Sequence, residues 1–337
     1  MSAPLAVSMG DPAGIAPEIT LKAWAALRGG GRTFFTIGDA SLYARAASAL
    51  SLAAPVRVIA APEEAASIFA QALPVLHQPL AARETPGAAD PRNAPAVIAA
   101  IETGVRLCRE GRAAAIVTCP IAKAALYEAG FAHPGHTEFV AALTQDMAWS
   151  GPRGPVMMLA GEELKVALAT VHVSLRDAIG RLSGAEIERV ARVTADALAR
   201  DFAIARPRLA LAGLNPHAGE AGSLGREEIE IINPAAARLR AQGLDVSDAR
   251  PPDTLFHAEA RKTYDCVIAM YHDQGLIPLK TLHFWDGVNV TLGLPVVRAS
   301  PDHGVAYDIA GTGRARADSL IAALAMAGAI AARRAAA

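Results

Sequence analysis

A chain of 337 residues with 32 basic and 33 acidic side chains has a net charge of −1, so no global field draws it to nucleic acid or to an anionic membrane. At the usual ~150 residues per domain the length suggests about two domains, which excludes a peptide hormone or a disulfide knot. Hydrophobic residues make up 52% but aromatics only 5%, so aliphatic side chains and alanine must fill the core, a balance suited to helices packed on a sheet.

No basic residue precedes Lys22, so the N-terminus lacks the charged start of a signal peptide and the Arg-rich face of a transit peptide, and a cytoplasmic protein is expected. Short aliphatic runs predict buried strands at 5–8, 33–37, 56–59, 113–118, 156–159, 166–171, 209–214 and 267–271. Between them, alanine-rich stretches such as 17–27, 41–50, 94–110 and 184–201 are long enough for three or more helical turns. That alternation predicts an α/β fold with a largely parallel sheet. The longest irregular stretch is 74–95, and 150–155 reads as a surface insertion. The apolar run 320–332 is shorter than the ~18 residues of a membrane span and predicts a buried C-terminal helix, with no membrane partner. Cys108, Cys119 and Cys266 are scattered without a Cys-x-x-Cys pair, which predicts reduced, structural thiols.

Neither Gly-x-Gly-x-x-Gly nor a P-loop motif occurs. Met9 to Gly14 follows the first strand and precedes Pro17 at a helix start; it reads equally as structural punctuation or as part of a site. Three histidines share one kind of position: His172, His217 and His272 each follow a predicted buried strand. In a parallel sheet the carboxyl ends of the strands converge on the ligand crevice, where imidazoles distant in sequence can meet around one ion. The alternative is three separate hydrogen-bonded histidines, but the shared placement, with Glu220 near His217 and Asp273 beside His272, favours a metal. Gly135 to Phe139 reads as a loop entering a helix whose free amides suit an anion, or with Thr137 as a simple N-cap. Lys280, Asn289 and Arg298 lie in a Gly- and Pro-rich segment, 275–301, where fixed donors could grip phosphate or carboxylate. The segment 302–313 is too glycine-rich for ordinary secondary structure and reads as a ligand loop or a plain connection.

Together the stretches MGDPAGIAPEI, TCPIAK, GHTEF, TVH, GLNPHAGE, DTLF, YHDQGLIPLK, GVNVTLGLP and DHGVAYDIAGTG resemble the 4-hydroxythreonine-4-phosphate dehydrogenase family of vitamin B6 biosynthesis, from Ser8 to about Gly328. The resemblance implies an isocitrate/isopropylmalate dehydrogenase-like fold, with two α/β lobes and a central cleft. The first lobe is expected at 1–130 plus 305–337 on the nucleotide side. The second, 131–304, is expected to carry the metal ligands and the dimer interface. It also implies a homodimer whose metal site is shared between subunits.

The family's metal ligands fall on His172, His217 and His272, and its substrate contacts on His136, Thr137, Lys280, Asn289 and Arg298. Asp253 and Asp273 match acidic positions near the metal, and these two with Lys280 are the expected catalytic residues. Cofactor contacts are expected at His303, Gly304, Asp308 and Ile309, with NAD preferred to NADP because the Asp308 carboxylate would repel a 2′-phosphate. One divalent metal per subunit is expected, zinc first, with magnesium or cobalt as alternatives. This sequence departs from the family pattern at Ala16, around Ala221 to Ser223, and at Val305.

The implied reaction is NAD-dependent oxidation of 4-phosphohydroxy-L-threonine to 2-amino-3-oxo-4-phosphooxybutanoate, which decarboxylates to 3-amino-2-oxopropyl phosphate. Alternatives are a dehydrogenase of a threonate or erythronate 4-phosphate type acid or of a dihydrodiol carboxylate. Two further classes are a metal-dependent hydrolase or lyase using the same histidines, and a non-catalytic ligand-binding protein.

Overall fold

The computed structural model describes residues 3–30 and 32–336. Among them the strands are β1 (Leu5–Ser8), β2 (Phe34–Gly38), β3 (Val56–Ile59), β4 (Leu73–His77), β5 (Ile116–Thr118), β6 (Val156–Ala160), β7 (Lys165–Leu168), β8 (Arg208–Ala212), β9 (Asp245–Arg250), β10 (Cys266–Ala269), β11 (Val288–Leu292) and β12 (Arg298–Pro301). The chain divides into two units, one running to Met147 and resuming at Pro295, the other spanning Ala148–Leu294.

These junctions differ from the expected 130/131 and 304/305, and packing explains the difference. Helix His136–Leu143 lies against helix Ala94–Arg109. Arg109 donates to the Leu143 carbonyl at 2.7 Å and pairs with Asp146. Arg298 and Ala299 pair with Ile116 and Val117 of β5. His136, Thr137 and Arg298 therefore belong to the first unit.

In the first unit the strand order is β3-β4-β2-β1-β5-β12, parallel throughout. Helices Ala16–Leu27, Ala40–Ala49 and Ala94–Arg109 make crossovers, as parallel pairing requires. β1, β2, β5 and β12 are buried along their whole length, which accounts for runs that are apolar without alternation. The C-terminal helix Asp318–Ala336 is long and apolar enough by composition to cross a membrane. It packs instead against β12 and helix Ala16–Leu27, burying Leu320, Leu324, Ala327 and Ile330 as the core helix expected from sequence.

The second unit has the order β11-β6-β7-β10-β8-β9; β6 is antiparallel to both neighbours, while β7, β10, β8 and β9 are parallel. Its longest helix, Gly184–Phe202, starts at Ser183, whose hydroxyl accepts from the Glu186 amide at 3.3 Å. Such a cap satisfies one of the orphan donors at a helix start. Four strands departed from expectation. β4 lies partly within the stretch read as irregular, since Pro74 obscured a short run. β9 (DVSDAR) is a polar edge strand with no hydrophobic signature. β11 and β12 sit between glycines and prolines that suggested loops. The three cysteines are free and their thiols are pushed up to about 12 by burial, which leaves them structural.

Candidate metal centre and anion pocket

β7, β10 and β8 are neighbours and parallel, so their carboxyl ends emerge on one edge of the second unit, and each is followed by one of the three histidines. Polar contacts bind these ends together. The Ala169 amide donates to the Ala269 carbonyl at 2.8 Å and the Thr170 hydroxyl to the Met270 carbonyl at 2.7 Å. Buried Gln274 accepts from the Met270 amide and donates to the Gly213 carbonyl, tying the end of β10 to that of β8.

His172 and His272 are thereby brought together, with ring centroids 5.6 Å apart. They line a cavity of about 220 Å³ with Val173, Leu175, Ala178, Tyr271 and Asp273. His272 opens the helix His272–Leu282, and its Nδ1 bonds Asp273 Oδ1 at 2.7 Å. His217 Nδ1 bonds Glu220 Oε2 at 2.9 Å. A carboxylate on Nδ1 leaves Nε2 to face a cation, the usual arrangement behind a metal-ligating imidazole. An all-imidazole donor set suits zinc and other late divalent metals, so these residues fit the expected group. They are not all gathered in one chain: among the described residues no three His, Cys, Asp or Glu side chains come close enough to hold an ion. His217, with a side chain 65% exposed, stands outside the His172–His272 cavity.

The His217 turn is itself unusual. His217, Ala218, Gly219, Glu220, Ala221 and Gly222 all have positive φ, and four of the six carry a side chain. The left-handed region costs an L-residue about 1–2 kcal/mol, so something outside the turn must hold it. Beside it lies Glu228, 1% exposed, whose carboxylate accepts from the amides of Leu214 and Asn215, the residues just before the turn, both at 2.8 Å.

The first unit holds a second cluster of candidate residues. Arg298, only 2% exposed, opens β12 and donates from Nε and Nη2 to Thr118 Oγ1 at 3.1 and 2.7 Å. Burial lowers its guanidinium to about 10, partly opposed by the Glu138 charge. His136 begins helix His136–Leu143, and its Nε2 is buried without a partner. Burial, with the charges of Arg298 and Lys123, holds this imidazole well below its ordinary pKa, so it stays neutral at pH 7. A Cβ added to Gly135 would lie 3.7 Å from Lys123 Nζ, which places that ammonium at the same helix start. Two cations, a neutral imidazole and a helix N-terminus together suit phosphate. Thr137 lies in the first turn of that helix, half-buried.

The remaining expected residues are more dispersed. Asn289 sits on β11 opposite Leu159, its Oδ1 buried without a partner. Lys280 lies on helix His272–Leu282 with its ammonium 5.9 Å from the Phe284 ring centre. Asp253 is exposed on the turn Pro252–Thr254, and Asp273 is exposed beside His272.

His303, Gly304, Asp308 and Ile309 lie on the loop after β12, where His303 Nδ1 meets the Gly304 carbonyl at 3.0 Å and Asp308 is exposed. This loop is clamped to the Met9–Gly14 turn. Tyr307 donates to Asp11 Oδ2 at 2.7 Å, and the Ile15 amide to the Val305 carbonyl at 3.0 Å. Buried Glu18 accepts from the amides of Gly313 and Ala315. Gly10 has φ 67° and no room for a side chain, since a Cβ would stand 2.7 Å from that of Cys119. A cavity of about 400 Å³ opens beside the clamp, lined by Pro12, Gly14, Arg45, Arg83, Glu84 and Gly311 among others.

Sequence reasoning did not single out Thr118, Lys123 or Glu228. The first two lie within the TCPIAK stretch, where the signal available was a polar residue ending a buried strand.

The model of the pyridoxal phosphate biosynthetic protein PdxA family matches residues 31–327. The chain is 56% identical over 333 residues to the 4-hydroxythreonine-4-phosphate dehydrogenase of Caulobacter vibrioides, covering 99% of each. It is 57% identical over 325 residues to that of Maricaulis maris, covering 95% of each. Among solved structures it is similar to the crystal structure of 4-hydroxythreonine-4-phosphate dehydrogenase from Klebsiella pneumoniae, with TM-score 0.85, 42% identity, and 98% of this chain and 100% of that one covered.

Proposed function

Since the chain belongs to the pyridoxal phosphate biosynthetic protein PdxA family, we propose that it oxidises 4-phosphohydroxy-L-threonine with NAD+ at a divalent metal centre built from His172, His217 and His272. The observation that carries this reading is the placement of the three imidazoles after adjacent parallel strands, two of them with a carboxylate on Nδ1.

A cation held there would lower the pKa of the substrate's C3 hydroxyl, and NAD+ would accept the hydride from C3. Arg298, His136 and Thr137, with Lys280 and Asn289, hold the anionic groups of the substrate. Neutral His136, as the tautomer protonated at Nε2, donates from Nε2 to a phosphate oxygen. Asp273 orients His272, and Asp273, Asp253 and Lys280 are the candidates to take the hydroxyl proton. Loss of hydride and proton leaves a 3-oxo acid. Its bond from C2 to the carboxylate breaks to release CO2, and C2 takes up a proton to form 3-amino-2-oxopropyl phosphate.

The cofactor lies on the His303–Ile309 loop, whose clamp to the Met9–Gly14 turn fixes it before NAD+ arrives. Asp308 accepts from the ribose hydroxyls, so Asp308→Lys narrows or reverses a preference for NAD+ over NADP+.

The working enzyme is a homodimer in which a second copy completes each metal site. Two of the three proposed ligands gather in one chain, and Leu175, which lines their cavity, is 56% exposed.

The test is release of NADH, followed at 340 nm, and of CO2 from purified protein given NAD+, a divalent metal and 4-phosphohydroxythreonine. Stoichiometric NADH and CO2 support the reading. Turnover of threonate or erythronate 4-phosphate in its place would move the substrate, and turnover without NAD+ would replace the dehydrogenase by a hydrolase or lyase.

A further inference from the structure

Glu228 opens a π-helical turn, Glu228–Ile232, and reaches back beneath the turn that carries His217. Oε1 takes the Leu214 and Asn215 amides at 2.8 Å each, and Oε2 takes Asn215 Nδ2 at 3.0 Å. The same Nδ2 donates to Glu227 Oε2 at 2.7 Å. A Cβ on Gly219 would stand 2.7 Å from Glu228 Oε2, and one on Gly213 would stand 3.3 Å from Oε1. One buried carboxylate thus touches the segment before the turn and the middle of the turn itself. Six successive left-handed residues do not hold that shape unaided.

We propose that Glu228 is a positioning residue for the metal: by pinning the left-handed turn it presents His217 Nε2 outward while Glu220 holds Nδ1. This rests on His217 being a metal ligand, as proposed above. Glu228 does not touch the cation. It removes the conformational search that a free loop of this length would make before binding. π-Helical turns recur beside functional sites for the same reason, because they aim a side chain that a regular helix would misplace.

Calorimetric titration of the full-length apoprotein with Co2+ tests this. Glu228→Gln keeps the side-chain shape and sets an NH2 against Asn215; it should weaken binding about 10–100-fold, the range seen when an orienting partner of a ligand is lost. Gly219→Ala removes no polar group but sets a Cβ against Glu228 Oε2 and the Gly225 carbonyl at a left-handed position, and should lower affinity in the same direction. It decides the matter if Glu228→Gln does not fold. His217→Ala sets the scale. Wild-type affinity in His217→Ala overturns the ligand reading and the inference together. Weakened binding in His217→Ala with wild-type affinity in folded Glu228→Gln, or in Gly219→Ala, overturns the positioning role alone.

Discussion

A buried guanidinium is costly unless its donors are met, and Arg298 meets part of that demand through Thr118 Oγ1. Thr118→Val keeps the shape of the side chain and removes the acceptor. Hydrogen bonds to charged groups contribute about 1.5–3 kcal/mol, so kcat/KM should fall roughly 10- to 100-fold, mainly through KM for the phosphorylated substrate. An unchanged KM would remove Thr118 from the anion pocket. His136 supplies a second residue-scale test, through pH. Its folded pKa lies below the unfolded value of about 6.5, so below that pH the unfolded chain takes a proton that the folded chain refuses. Stability is therefore lost as pH falls from about 6.5, by up to about 1.4 kcal/mol per pH unit from this group. Urea unfolding between pH 7 and 5 should show a shallower pH slope in His136→Asn than in the unmodified protein. Equal slopes would mean that His136 titrates normally.

Single elements show where strain has been accepted and how far it can be read from sequence. Ala221 sits at φ 52° in the His217 turn, where glycine would pay no Cβ penalty. Ala221→Gly should stabilise the protein by about 0.5–1 kcal/mol, after the entropy of the extra glycine is counted, and raise the urea midpoint accordingly. A fall in the midpoint would contradict the left-handed assignment. The departure at Ala221 was visible in the sequence, but its backbone angle was not: Asn215-Pro216, Gly219 and Gly222 mark a turn without showing that the non-glycine positions between them are left-handed. His172, His217 and His272 were legible for the opposite reason: aliphatic runs mark β7, β8 and β10, and a histidine follows each. Arg298 and His136 drew attention through family motifs, whereas Lys123 becomes visible only once helix His136–Leu143 brings Gly135 against it. Glu228 was not legible at all. It acts 13 and 14 residues back along the chain, on amides of Asn215 and Leu214 that local pattern cannot connect to it.

At the scale of the molecule, most of the parallel strands and their crossovers followed from composition and alternation, while β4, β9, β11 and β12 did not, being short, polar or interrupted or flanked by glycine and proline. The unit boundaries also moved, because helix His136–Leu143 packs on helix Ala94–Arg109 and β12 pairs with β5. What a single chain does not do is gather the three proposed ligands among its described residues, although their loops follow adjacent strands. If a second copy completes the centre, as proposed, a two-fold dimer would set His217 of one chain with His272 of the other. The most direct measurement mixes His217→Ala and His272→Ala proteins, each inactive alone, under conditions where subunit exchange is verified. Each mixed dimer then has one doubly broken site and one intact site. Activity should return to about one quarter of the unmodified rate, because random exchange makes half the dimers mixed. No recovery, with exchange confirmed, would mean that His217 and His272 serve the same site from the same chain and that the shared centre is wrong.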